Sequence, residues 1–187
     1  MESNVFIYGA PGAGKTTFSI KLEAELKYPL VEADYLREVI AQREKVTEDQ
    51  DPFVFVGTKQ AWRKIGDLTP ENVIAGLRAV RKSMAPYVSR EIAKYSTNVI
   101  LEASFLDPKE IQELGKLILV VAPDEQQHCK QYFEHREEST EQNENFQAVR
   151  IIQDFLIQEA KKYPVTTVQN DENFLSKAAS LKLTLNL

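Results

Sequence analysis

Apolar runs and helical stripes alternate along most of the chain. Val5-Phe6-Ile7-Tyr8 reads as a strand, and beyond a glycine-rich stretch Phe18, Leu22 and Leu26 fall at helical spacing. Leu30-Val31 reads as a short second strand ahead of a helix carrying Leu36, Val39 and Ile40. The segments from Asn98 to Leu101 and from Leu117 to Val121 are almost uninterruptedly apolar, the pattern of strands buried on both faces of a parallel sheet. Val165 to Gln169 makes a last short strand, and a terminal helix is expected from about Asp171.

The intervening segments read as helices and one irregular stretch. Thr69-Pro70-Glu71 is a helix start, with Thr as N-cap, Pro in the first turn and an acid near the positive end of the dipole. Val73, Leu77, Val80, Met84, Val88 and Ile92 continue it as a core-facing stripe, and Pro86 predicts a kink or a break. Asp124 to about Glu138 reads as a charged helix, and Glu134 to Glu144 as polar, acidic and turn-prone. A long helix with Phe146, Val149, Ile152, Leu156 and Ala160 on one face then runs to a stop at Tyr163-Pro164. Residues 43–66 are polar and irregular apart from Phe53-Val54-Phe55-Val56 and the only tryptophan, Trp62. That stretch reads equally as a substrate-binding insertion or as a surface loop with a helix.

Strand–helix repetition with buried apolar strands predicts an α/β three-layer sandwich around a parallel, five-stranded sheet. Right-handed crossovers would bring the carboxyl ends of all strands to one rim, where ligands bind in such folds. The whole chain, 1–187, is expected to form one domain, with the insertion at 43–66 and a lid at about 124–145.

The first candidate chemistry stands between the first strand and the first helix. Gly9-Ala10-Pro11-Gly12-Ala13-Gly14-Lys15-Thr16-Thr17 satisfies Gly-x-x-x-x-Gly-Lys-[Ser/Thr] in the strand–loop–helix setting the motif requires. Its glycines let the backbone approach phosphate, and its successive N–H groups form an anion nest at a helix N-terminus. Lys15 is placed to reach the β- and γ-phosphates, and the Thr16 hydroxyl to coordinate Mg²⁺. ATP with magnesium is the expected ligand, on a P-loop NTPase or kinase fold.

Charge and cysteine content narrow the setting. The formal net charge is −5 with no basic stripe, which disfavours a polynucleotide partner. No apolar run is long enough to span a bilayer, and the single cysteine, Cys129, has no partner for an internal disulfide. A cytoplasmic monomer or homodimer is the expectation, with no membrane and no nucleic-acid partner.

Further candidates follow strand ends. Asp34 and Arg37 project from the first turn of one helix. Asp34 could orient or deprotonate an acceptor hydroxyl, act on magnesium through water, or cap the helix. Arg37 could grip a carboxylate or phosphate as a fork, or lie on the surface. Glu102 ends an apolar strand and could serve the metal's water shell, the acceptor or the fold. Arg136 and Arg150 lie where a lid would close, and lids supply cations to the transferring phosphoryl group. Asn170, after the last strand, would neighbour the base. Lys130, His128 and His135 are weaker candidates, because a histidine on a charged helix usually meets solvent.

The glycine loop followed by Asp34-Tyr35-Leu36-Arg37 resembles the nucleoside monophosphate kinases, adenylate kinase above all. Leu101-Glu102-Ala103-Ser104-Phe105 replaces the Asp-Gly-Phe-Pro-Arg-like strand end of adenylate kinases, and their arginine-rich lid signature is missing. The chain is more similar to the archaeal 2-phosphoglycerate kinase-like group of P-loop kinases. That likeness rests on Asp34 to Val39, Ala61-Trp62, Val99 to Glu102, His128 with Phe133, and above all Phe146 to Leu156, with Ala160 and Val165 to Asn170 after them. It spans Tyr8 to about Asn170, and it departs from the group in an acidic stretch without basic residues from Glu137 to Asn145. The resemblance implies ATP-dependent phosphorylation of a small hydroxylated, anionic metabolite such as 2-phosphoglycerate. Two alternatives stay open: a nucleoside or nucleotide kinase, and a nucleotide-dependent switch or partner-assisting NTPase with an exposed apolar patch near Phe53 to Val56.

Overall fold

The computed structural model describes residues 3–134, 136–137 and 139–184. Strand β1 (Asn4–Tyr8) enters the glycine loop, which opens helix α1 (Lys15–Leu26). Strand β2 (Leu30–Glu32) is followed by a 3-10 turn over Ala33–Tyr35, helix α2 (Leu36–Val39) and a π turn over Ile40–Glu44. The insertion holds the short helix α3 (Pro52–Phe55) and a 3-10 turn over Ala61–Lys64, and leads into the long helix α4 (Pro70–Ile92). Then come β3 (Ile100–Ala103), α5 (Pro108–Ile111), β4 (Gly115–Val121) and α6 (Glu125–Phe133). Helix α7 (Thr140–Ala160), β5 (Val165–Gln169) and α8 (Ser176–Thr184) complete the chain.

The five strands form one sheet in the order β2-β3-β1-β4-β5, with every neighbouring pair parallel. Period-two alternation sorts the layers. On β1, Phe6 and Tyr8 join the core with Leu77, Met84 and Ile152, whereas Val5 and Ile7 join the one with Phe18, Leu22 and Ala178. The sheet thus lies between α4 and α7 on one side and α1 and α8 on the other, a three-layer α/β sandwich. Val5 to Tyr8 are completely buried because β1 is central, which explains why their run is apolar without alternation. An Arg81–Glu159 fork, with nitrogen–oxygen distances of 2.9 and 2.8 Å, ties α4 to α7.

The structure differs from the expectations at several points. Helix α4 runs without a break through Pro86. Pro86 gives up one backbone bond, but Met84 and Val88 beside it are buried, and core packing holds the helix together. Helix α6 ends at Phe133, and the last helix starts at Ser176 after a turn. Helix α5 is additional: the Asp107 carboxylate accepts from Lys109 N at 3.0 Å, and Pro108 occupies its first turn. The insertion is packed rather than irregular, with Val54 and Ala61 fully buried and Phe53, Phe55 and Val56 set against the core. The run at Phe53 to Val56 is therefore no exposed patch. Among the described residues no helix is long and apolar enough to cross a membrane.

Candidate active site

The glycine loop leaves β1 at the carboxyl rim of the sheet, and its backbone geometry demands glycine at particular points. A Cβ on Gly9 would stand 2.3 Å from the Val120 carbonyl oxygen. Gly14 has φ 96°, and a Cβ there would stand 2.6 Å from Asn170 Nδ2. Three of the loop's carbonyls are bonded to side chains. Lys15 Nζ donates to Ala10 O at 3.3 Å, His128 Nε2 lies 2.9 Å from Pro11 O, and Asn170 Nδ2 donates to Ala13 O at 3.0 Å.

Glu102 stands beside the loop because β3 pairs with β1, in register with Ile7. Its carboxylate accepts from Thr16 Oγ1 at 3.0 Å and lies 3.7 Å from Lys15 Nζ. Burial pushes the Glu102 carboxyl above the ordinary carboxylate range; Lys15 and the Thr16 bond oppose that rise, and Asp34 and Glu32 add to it. Among the described residues no group of three or more His, Cys, Asp or Glu side chains could hold a metal alone. A cation at Thr16 and Glu102 would therefore be completed by water and phosphate oxygen, the manner in which Mg²⁺ is usually bound.

Asp34 sits in the 3-10 turn after β2 and is exposed. It caps no helix, since the residues flanking the turn and α2 make no side-chain cap bond. Arg37 is placed differently from a free fork. Its Nη1 donates to the carbonyls of Phe53, Val54 and Val56 at 3.3, 2.7 and 2.8 Å, and the guanidinium lies 5.1 Å from the Phe105 ring centroid. Arg37 thus fastens the insertion to α2, because the last carbonyls of α3 lack helical partners and need a donor. Its Nη2 is buried without a hydrogen-bond partner among the described residues.

Two cations meet on Tyr132, whose Cα and Cβ would lie 3.2 Å from a Cβ on Gly12 of the loop. Arg136 lies 4.4 Å from the Tyr132 ring centroid and Lys59 Nζ 5.3 Å from it. Burial and Arg136 push the Lys59 ammonium below its usual range, against Glu141. The sequence reading missed Lys59, since one lysine in a polar segment carries no signal; only the packing of the insertion on Tyr132 marks it. The acids of the neighbouring stretch are spent on the insertion: Glu141 accepts from Gln60 Nε2 at 3.2 Å, and Glu144 pairs with Arg63 at 2.7 Å.

Arg150 stands away from the mouth of the site. From α7 it donates to Ala122 O at 3.0 Å and lies 3.1 Å from His128 Nδ1, beneath the loop. His128, expected on a solvated face, is fully buried, because α6 turns it toward the loop and against Phe146. His135 lies outside the described residues. Burial holds the His128 imidazole below its ordinary value, with Arg150 and Lys15 in the same direction and the Pro11 bond and Glu125 against it.

A native value below the unfolded one means that the unfolded chain takes up the proton first. The stability His128 contributes is complete above the ordinary value near 6.5, and is lost as pH falls through it toward the native value. Thermal melts from about pH 8 to pH 5 are expected to show wild type losing Tm faster than His128→Gln. Parallel curves would contradict this account.

A cavity of about 740 Å³ opens over the loop, lined among others by Lys15, Thr17, Gln131, Arg136, Asn170 and Phe174. Asn170 closes its floor, and Phe174, stacked 5.2 Å from Phe18, forms its wall with Leu175.

Sheet order, loop and cavity together define a three-layer α/β protein with a phosphate-binding-type glycine loop at the carboxyl rim of a parallel five-stranded sheet. A family model described as an AAA domain matches residues 4–65. No curated protein matches the chain. Among solved structures, TT1252 from Thermus thermophilus has a TM-score of 0.62 at 20% identity, over 100% of this chain and 98% of that one. Shikimate kinase from Acinetobacter baumannii in complex with shikimate has a TM-score of 0.61 at 15% identity, over 98% and 93%. Deoxyadenosine kinase from M. mycoides with bound dATP has 0.55 at 14%, over 100% of each chain. At these identities the likeness is one of fold.

Proposed function

We propose that this chain is an ATP-dependent phosphotransferase acting on a small hydroxylated, anionic acceptor such as 2-phosphoglycerate. The observation that carries the reading is what surrounds the loop: the exposed carboxylate of Asp34 and the cation pair Lys59 and Arg136. Neither cation forms a salt bridge among the described residues; Arg136 Nη1 also donates to the Tyr132 carbonyl, and the charges of the pair suit an anion brought by the acceptor. The loop N–H groups and Lys15 receive the triphosphate, and the base lies along Asn170, Phe174 and Leu175. Thr16 and, through water, Glu102 would hold Mg²⁺, which when bound disperses charge on the β- and γ-phosphates. Asp34 positions the acceptor hydroxyl and takes its proton as the new oxygen–phosphorus bond forms and the bond to the ADP oxygen breaks. Catalysis is then chiefly positioning and electrostatics.

ADP release is to be measured across hydroxy acids, phosphorylated hydroxy acids, sugars and nucleosides, with thermal shift alongside. Turnover and stabilisation with an anionic hydroxy acid are the expected results. Turnover confined to nucleosides would replace this reading with a nucleoside kinase, the activity named for the M. mycoides neighbour. Nucleotide binding with no acceptor turned over would make the chain a nucleotide-dependent switch.

A further inference from the structure

His128 is buried and Arg150 half-buried, and phosphoryl transfer has no direct use for either, yet His128 bonds to the loop and Arg150 bonds to His128. Arginine can only donate, so the contact of Arg150 Nη1 with His128 Nδ1 at 3.1 Å requires that nitrogen to be the acceptor. The ring proton therefore sits on Nε2, which donates to Pro11 O at 2.9 Å. Arg150 is itself fixed by Ala122 O at 3.0 Å and by Glu125, 3.8 Å from its Nε. Phe146 meets the imidazole edge-on, with centroids 5.4 Å apart. The groups facing His128 are accordingly Arg150 from α7, Lys15 from α1 and Glu125 from its own helix.

The Pro11 carbonyl belongs to the same planar unit as the Gly12 N–H. In a trans peptide the two point in opposite directions, and the chain has no cis bond among its described residues. Holding the carbonyl toward His128 turns the Gly12 N–H to the opposite side of the peptide, away from α6, and there it is free to serve an anion nest. Asn170 does the same for the Ala13–Gly14 peptide, holding Ala13 O and so directing the Gly14 N–H. Resting on the proposed nucleotide site, we propose that His128 is a positioning residue for the phosphate-binding loop: as the Nε2–H tautomer selected by Arg150, it aims the Gly12 N–H at the triphosphate.

The test compares binding of Mg-ATPγS to wild type, His128→Leu and His128→Gln by calorimetry at about pH 7.5, with melts to verify folding. Glutamine keeps a donor near the Nε2 position, and leucine keeps only bulk. His128→Leu is expected to bind about tenfold more weakly, and His128→Gln within about threefold of wild type. A folded His128→Leu protein with wild-type affinity overturns the proposal, and so does a glutamine variant as weak as the leucine one. Should the leucine variant not fold, the imidazole ¹H–¹⁵N spectrum of wild type decides. A proton on Nε2 whose signal shifts on adding Mg-ATPγS supports the assignment; a proton on Nδ1, or a ring signal unmoved by the ligand, overturns it. Wild type that binds no nucleotide overturns the proposed function, and this inference with it, whereas the variants bear on His128 alone.

Discussion

Replacing Lys15 by alanine is expected to lower kcat at least about 10³-fold while the protein stays folded. Its ammonium is buried between Ala10 O at 3.3 Å and the Glu102 carboxylate at 3.7 Å, at the mouth of the anion nest. In a site shielded from water a cation on the transferring phosphoryl group is worth far more than the same charge in solution. Deleting it also leaves Glu102 buried without its cation, so the carboxyl rises further and less of it is ionised. The measurement is ADP release with the best acceptor, with a melt to establish folding. A Lys15→Ala protein turning over at the wild-type rate would remove the loop from the reaction.

The second large effect is expected at Glu102. Glutamine preserves shape and one acceptor for Thr16, but it removes the charge that would organise magnesium's water shell and balance Lys15. A fall in kcat of about 10²-fold is expected, with a smaller change in KM for ATP, since the loop N–H groups still bind phosphate. The pH profile separates this role from packing. Because burial raises the Glu102 carboxyl, the wild-type rate should fall in acid at a higher pH than an ordinary carboxylate would set. That limb should be absent from Glu102→Gln. A variant retaining both the limb and the rate would place Glu102 among structural residues only.

The architecture was legible in the chain because its signals are local. The apolar runs at Val5 to Tyr8 and Leu117 to Val121 could be satisfied only by strands covered on both faces, and both are buried strands of one parallel sheet. Pro86 does not break α4, because propensity is weak beside the packing of Met84 and Val88. Helix α5 escaped notice because it is a single capped turn with no room for periodicity.

The candidate site was less legible. Glu102 could be found because it ends an apolar strand, and Thr16 because it stands in a motif. Arg37 and Arg150 were read as ligands for anions, and the structure places their guanidinium donors on backbone carbonyls of Val54, Val56 and Ala122. An arginine that reaches a frayed helix end or an orphaned carbonyl is held there by the same donors that would grip a phosphate. His128 gave the opposite error, read as meeting solvent until packing put it against Pro11, and Lys59 carried no signal at all before the insertion set it against Tyr132.

The sequence by itself determined the glycine loop: Gly9 to Thr16 are contiguous, so their φ requirements, N–H groups, ammonium and hydroxyl are brought together by one short stretch of chain. It also determined the sheet, since uninterrupted apolar segments have no other place to go. Only the tertiary structure decided which remote residues flank that loop. His128 reaches Pro11 across 117 positions and Asn170 reaches Ala13 across 157. Such meetings depend on how helices pack over the sheet rather than on spacing. The same packing set donors of Arg37, Arg150 and Arg136 on backbone carbonyls and left the Lys59 ammonium against the Tyr132 ring beside the loop.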